Sequence, residues 1–247
     1  MTDHALRRFL VALLAACGLH VDTTHAQPFP NRAVRVIIPA AAGDSCDVLA
    51  RLVGQKVSER LGQQLVIDNR PGAGGQLGLQ LLTQAAPDGY TIACGQGGNM
   101  VIVPLAYQKV AYDTLKDFAP IALMASNFLA LAVHPSVPFK STKDLVTYAK
   151  INPGKLTFGT TGEGAFLHFA IEALRIQAGF TYTHVPYKGV AAIITDITGG
   201  RIDATLGSFI SLQPHAVSGK LRLLGVARAT RAPNYPEIPT IAETVPG

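Results

Sequence analysis

The sequence predicts an α/β fold of two units, each with a mainly parallel sheet, and three observations carry that prediction. Short apolar runs suited to buried strands alternate with segments whose apolar residues recur at helical spacing, in the order β-α-β-α-β. The alternation then restarts in the second half of the chain. No low-complexity linker separates the two runs, so the join near residues 123–130 reads as a hinge between the units.

The elements follow in order. Residues 34–39 (VRVIIP) form a buried strand ended by Pro39, and a small-residue loop, 40–45, comes next. Val48, Leu49, Leu52, Val53, Val57 and Leu61 recur at helical spacing, and Gly62 stops that helix. Residues 65–67 form a second strand. The Gly-rich turn 70–75 leads into a helix over 77–85, and the Pro87-Asp88-Gly89 turn precedes a third strand, 90–94.

In the second run, residues 121–124 and 129–134 read as strands. Residues 142–151 form a helix capped by Ser141. Strands at 156–159, 182–186, 204–206 and 221–227 and helices at 166–178 and 191–197 complete the unit.

The chain opens like an export signal. Arg7 and Arg8 precede an apolar run, 9–19, too short to anchor in a bilayer. Thr24-His25-Ala26 suits cleavage before Gln27, and residues 1–26 are read as the signal peptide. Leu14-Ala15-Ala16-Cys17 competes as a lipobox, in which Cys17 would carry lipid. Beyond residue 26 there are two cysteines, Cys46 and Cys94. An exported chain permits a disulfide between them without requiring one. The formal charge of +5 is spread along the chain. With no basic tract and no interleaved aromatic residues, nucleic acid is excluded as a partner, while a cleft that attracts anions is not. No Cys/His spacing suits zinc, and no cofactor is expected.

Ligands of open α/β sheets bind beyond the carboxyl ends of the strands. In the first unit this selects Ala41, Ala42, Gly43, Asp44 and Ser45 after the first strand, and Gly95, Gln96 and Gly97 after the third. In the second unit it selects Thr160, Thr161, Gly162, Glu163, Gly164 and Ala165, together with Gly207 and Ser208. Small residues let backbone N–H groups approach a ligand, and helix starts behind such loops favour anions. Ordinary turns use the same residues.

Enzyme signatures fall short. Gly72-Ala73-Gly74-Gly75-Gln76-Leu77-Gly78 puts its last glycine one place late for a dinucleotide turn, and there is no G-K-[ST]. Gly43-Asp44-Ser45 is similar to the nucleophile block of GDS-type esterases, with Ser45 as nucleophile. The D-x-x-H partner block is absent, and His134, His168, His184 and His215 lack a supporting motif. Ser45 reads better as a helix cap, and Asp47 as a first-turn carboxylate paired with Arg51.

Taken together, the motifs resemble the Bug/TctC family, the periplasmic solute receptors of tripartite tricarboxylate transporters. The stretches that carry this run from Phe29 to Val36 and from Asp47 to Leu52. Asp68-Asn69-Arg70-Pro71-Gly72-Ala73-Gly74-Gly75 and Pro87-Asp88-Gly89-Tyr90-Thr91 follow. Later come Asp117-Phe118-Ala119-Pro120-Ile121, Asn152-Pro153-Gly154-Lys155-Leu156, His184-Val185-Pro186-Tyr187-Lys188-Gly189, Gly219-Lys220-Leu221-Arg222 and Pro239-Thr240-Ile241-Ala242-Glu243.

The resemblance implies a type II periplasmic binding protein, a two-lobed Venus flytrap with no enzymatic activity. It would bind a small carboxylate (a dicarboxylate, an amino acid or an aromatic acid). The loops selected above, with Asp47 and Tyr187, would contribute the site. The protein is expected to be a monomer that presents its closed form to membrane subunits, although a receptor for a membrane sensor would look the same. Residues 27–125 would form lobe 1 and 126–230 lobe 2, with 231–247 turning back toward lobe 1.

Three departures from the family pattern matter. Asp44 stands where the family's first loop has glycine, and with Glu163 it would favour a ligand carrying an amine. The family fold makes the ends of the first and third strands neighbours, which would bring Cys46 and Cys94 together. The family chain also continues past V-P-G, so the first lobe here is expected to lack its C-terminal return segment.

Overall fold

A computed structural model describes residues 28–246. The signal peptide, the cleavage before Gln27 and the Cys17 lipobox lie outside the described residues. Two sheets organise residues 32–246. The first has the order β2-β1-β3, with β1 (Val34–Ile38), β2 (Leu65–Asn69) and β3 (Thr91–Ala93) all parallel. α1 (Ser45–Leu61) joins β1 to β2, and α2 (Gln76–Thr83) joins β2 to β3. Gly62 ends α1 at φ 65°, a left-handed conformation that a Cβ penalises.

The second sheet has the order β6-β5-β7-β4-β8. Its strands are β4 (Leu129–Val133), β5 (Thr157–Thr160), β6 (Thr183–Pro186), β7 (Ala204–Ser208) and β8 (Arg222–Val226). β5 pairs in parallel with β6 and β7, whereas β4 runs antiparallel to both β7 and β8. The helices are α4 (Thr142–Ile151), α5 (Phe166–Ala178), α6 (Val190–Thr198) and α7 (Phe209–Val217). Ser141 Oγ accepts from Asp144 N and caps α4, as the sequence predicts.

Helices cover both faces of this second sheet, which is why β4 reads LALAV without polar alternation. On one face Leu131, Phe158 and Leu206 meet Leu145 of α4 and Ile171 of α5. On the other, Ala130 and Ala132 meet Ile193 and Ile197 of α6 and Leu212 of α7. Each fully buried Leu, Ile or Phe stabilises by about 1.5–3 kcal/mol. The first sheet has a smaller core of Val36, Ile38, Cys46 and Ala50, and it leaves Leu52, Val66 and Leu77 more than half exposed.

Four expectations are corrected. Residues 121–124 form no strand: Ile121 and Leu123 are 79% and 87% exposed, and the connector has no strand beside it to pair with among the described residues. Residues 209–217, assigned to no element above, form α7. A π-helical turn, Gly98–Ile102, and the short helix α3, Val103–Ala106, follow the β3 loop. The segment 231–246 does not turn toward the first sheet. Tyr235 and Ile238 pack on one core of the second sheet, Ile241 and Val245 lie in the other, and Thr240 bridges to Val226. Among the described residues no helix is long and apolar enough to cross a membrane.

Candidate functional site

The carboxyl ends of β1 and β3 face the loops of the second sheet at contact distance. Ser211 Oγ of α7 donates to Gly43 O at 3.0 Å. A Cβ at Gly189 would stand 2.6 Å from Ala41 Cβ, so only glycine lets these segments meet. A Cβ at Gly98 would stand 3.0 Å from Phe166 Cβ, and Tyr107 OH donates to Gly164 O at 3.5 Å. Loop 40–44 and loop 95–98 are thus closed against the starts of α5, α6 and α7.

Within the first half, the Gly43 and Cys46 amides already donate to carboxylates. Asp44 caps α1, its Oδ1 accepting from Cys46 N at 3.1 Å. This corrects the assignment of the cap to Ser45. Ser45 Oγ instead accepts from Gln96 Nε2 at 2.8 Å, which also donates to Asp44 Oδ1 at 2.8 Å. Asp47 is only 4% exposed, receives Gly43 N at 2.9 Å and pairs with Arg51 at 2.9 Å. Burial pushes Asp44 above the usual carboxylate range, against the Cys46 and Gln96 donors. Burial would raise Asp47 too, but Arg51 and the Gly43 amide outweigh it and hold Asp47 below that range. Cys46, in the first turn of α1, and Cys94, just before loop 95–98, form a disulfide with Cα atoms 6.0 Å apart.

The second half presents the opposite chemistry. The starts of α5 at Ala165, α6 at Gly189 and α7 at Ser208 have no side-chain cap. Their N–H groups and helix dipoles present partial positive charge where the two halves meet. Ser208 Oγ is held by Asn127 Nδ2 at 2.5 Å, and Gly207 backs onto Leu212. Thr160 is fully buried, and its Oγ1 meets Gly162 N at 3.3 Å and His184 Nε2 at 2.6 Å. Thr161, Gly162 and Gly164 are half-buried, Ala165 is buried, and Glu163 is exposed with no hydrogen bond among the described residues. Gly95 and Gly97 are exposed beside Gln96, as is Ala42 beside Gly43.

The structure therefore brings Ala41, Gly43, Asp44, Ser45 and Gln96 together and sets them against the starts of α5–α7. Two predicted site residues turn elsewhere. Asp47 serves α1 and Arg51. Tyr187 donates to Asp196 Oδ2 at 2.7 Å, and its hydroxyl is pushed up to about 12 by burial and that carboxylate. The sequence reading missed Ser211, which lies on an unassigned helix; Asn99, at the end of the loop selected after the third strand, holds that loop, its Oδ1 accepting from Gln96 N at 2.9 Å. No histidine hydrogen-bonds Ser45 among the described residues. His134 meets Ser136, His168 meets Gly164, and His184 meets Thr160. No group of three or more His, Cys, Asp or Glu among the described residues could hold a metal.

Residues 49–246 match the family model described as "Tripartite tricarboxylate transporter family receptor". The chain belongs to the TctC family. A TctC relative from Pseudomonas sp. (strain P51), "UPF0065 protein in tcbD-tcbE intergenic region", is 36% identical over 240 residues, covering 96% of this chain and 70% of that one. Among solved structures, Rpa4515 of R. palustris with adipate superposes with a TM-score of 0.84 at 35% identity, over 89% of this chain and 74% of the other. MatC from Rhodopseudomonas palustris with bound malate superposes at 0.80 with 29% identity, over 88% and 74%. The α/β fold with mostly parallel sheets is that of these periplasmic binding proteins, and the Bug protein BugD is another of them.

Proposed function

We propose that this TctC protein is an exported, non-enzymatic receptor that captures a small carboxylate between two lobes. It then presents its closed form to the membrane subunits of a tripartite tricarboxylate-type transporter. Lobe 1 spans residues 27–125 and lobe 2 residues 126–230, with the link near residues 123–130 as hinge. The single observation that carries the reading is the asymmetry of helix caps. Three helix starts without side-chain caps abut loops 40–44 and 95–98 and leave N–H donors for an anion. The adipate and malate held by its relatives are carboxylates of the class such donors suit.

The first lobe sets the ligand's other end. Its Gly43 amide is spent on Asp47 and the Cys46 amide on Asp44, and Asp44 itself puts a carboxylate on this side. The preferred ligand therefore carries a donor, an ammonium above all, opposite its carboxylate. A thermal-shift panel of amino acids, malate and adipate tests this. Larger shifts with amino acids support the reading, shifts with malate and adipate alone overturn the ammonium, and no shift with any small carboxylate overturns the receptor. Mass spectrometry of solute retained on the purified protein identifies the molecule directly.

A further inference from the structure

We propose that His168 is a positioning residue that holds the loop 160–165 in its capture geometry only while its ring is neutral, with His184 stacked against it, so that solute binding weakens in acid. The proposal rests on the receptor reading above for the loop's role, and on the following geometry for the switch.

Gly164 N donates to His168 Nδ1 at 3.0 Å. A backbone N–H can only donate, so this bond requires Nδ1 to be unprotonated. A proton arriving at Nδ1 removes the acceptor and sets two donors against each other. The same loop is held at its other end by Thr160, whose Oγ1 lies 2.6 Å from His184 Nε2 and 3.3 Å from Gly162 N. The two rings stack on each other, 4.2 Å between centroids and 6° from parallel. Charging one ring therefore disfavours charging the other.

The charged groups around the pair do not cancel this. Glu163 from the loop and Glu172 one turn along α5 both favour a charged ring. Glu172 is already bound by Arg175 at 2.9 Å and by Tyr182 OH at 2.9 Å. Tyr182 meets His184 edge-on. Burial first, then the facing His168, hold His184 below the ordinary imidazole value of 6.5. A histidine lowered in the folded state contributes stability that is present above the unfolded value and is lost as pH falls below it. The stability that the neutral His184 ring lends the loop therefore falls as pH drops below 6.5.

The test uses the whole protein and two readouts. Amide NMR follows Gly162 and Gly164 while the ring protons of His168 and His184 are titrated from about pH 7.5 to about pH 5. The Gly164 amide should move with the rings, and an amide that stays still while the rings titrate overturns the proposal. Calorimetry with adipate as probe should give binding about tenfold weaker at the acid end, the equivalent of one lost loop hydrogen bond. His168→Asn keeps an acceptor at the Nδ1 position but cannot titrate. It should lose most of the pH dependence, each pH being compared with the variant's own affinity at neutral pH. Persistence of the full dependence in that variant assigns it to adipate's own carboxyls and overturns the switch. Should His168→Asn not fold, the parent amide titration needs no variant and decides the matter alone. Adipate silent at every pH, with Gly164 moving, would support the loop switch and exclude only adipate as the solute.

Discussion

Gln96 Nε2 donates to Asp44 Oδ1 and to Ser45 Oγ, each at 2.8 Å, so one amide from the β3 loop holds both residues at the start of α1. Asp44 is the cap of that helix, and Gln96 is one of three groups, with Cys46 N and Ser45 Oγ, keeping its carboxylate bonded. Gln96→Ala leaves the carboxylate short of a donor in a half-buried position. The expected cost is about 1.5–3 kcal/mol, the range for a hydrogen bond to a charged group. Urea denaturation checks it, and an unchanged midpoint would refute the clamp. Gln96→Glu should be worse still, because it puts a second carboxylate against the first.

Asp44→Asn should stabilise the protein at neutral pH. Asparagine caps as well as aspartate does and keeps the acceptor for Cys46 N. Burial raises the Asp44 carboxyl above its ordinary 3.8, so ionising it costs more in the folded chain than in the unfolded one. That cost is absent below the unfolded value and appears as pH rises through the folded one. The melting temperature of Asp44→Asn should therefore exceed the parent's at neutral pH, and the difference should vanish below pH 3.8. The same variant should shift ligand preference toward plain dicarboxylates. A destabilised variant at neutral pH would contradict the sign.

Cys46 and Cys94 should yield no free thiol when a chain without residues 1–26 is denatured in the absence of reductant. Their sequence separation of 48 makes the bridge a substantial constraint on the unfolded chain. Reduction, or Cys46→Ser with Cys94→Ser, should cost about 2–4 kcal/mol. Because the bridge joins the first turn of α1 to the edge of loop 95–98, ligand affinity should fall as well. Denaturation curves with and without reductant check the first part, and calorimetry the second.

Core substitutions should separate the two sheets. Phe158, fully buried among Leu131, Ile171 and Phe180, should cost about 3–5 kcal/mol as alanine. Leu52→Gln, at a position 63% exposed on α1, should stay within about 0.5 kcal/mol of the parent. Equal losses from the two would mean that the face of α1 is covered in the folded protein.

Much of the fold was legible in the sequence because local rules agreed with tertiary demand. Gly62 marks the end of α1 and Ser141 the start of α4, but the apolar stripe from Val48 to Leu61 that locates α1 is not its buried face: Leu52, Val53 and Leu61 are exposed while Cys46, Ala50 and Gly54 are buried. Other elements are set by packing instead. Pro214 sits inside α7 and reads as a break when only the chain is considered. The direction of β4 depends on its partners β7 and β8, which no local pattern encodes. The apolar look of residues 121–124 suggested a strand, yet a strand needs a neighbour. Within the site, Asp44 and Ser45 are both competent caps, and Gln96, about fifty residues away, engages Ser45 while Asp44 takes the cap. The His168–His184 stack depends on the pairing of β5 with β6 and so could not be read from either residue alone.

The contrast in helical cover between the two sheets has a kinetic corollary. β4 is completely buried from Ala130 to Val133 and is flanked on both sides, so its amides should exchange with solvent only when the whole molecule opens. β2 lies at the edge of the three-stranded sheet with Val66 half exposed, and its amides should exchange through small local openings. Mass-resolved deuterium labelling should therefore show two populations of protected peptides. A bound solute that bridges them should slow the faster population toward the slower one, reporting capture without any label on the solute.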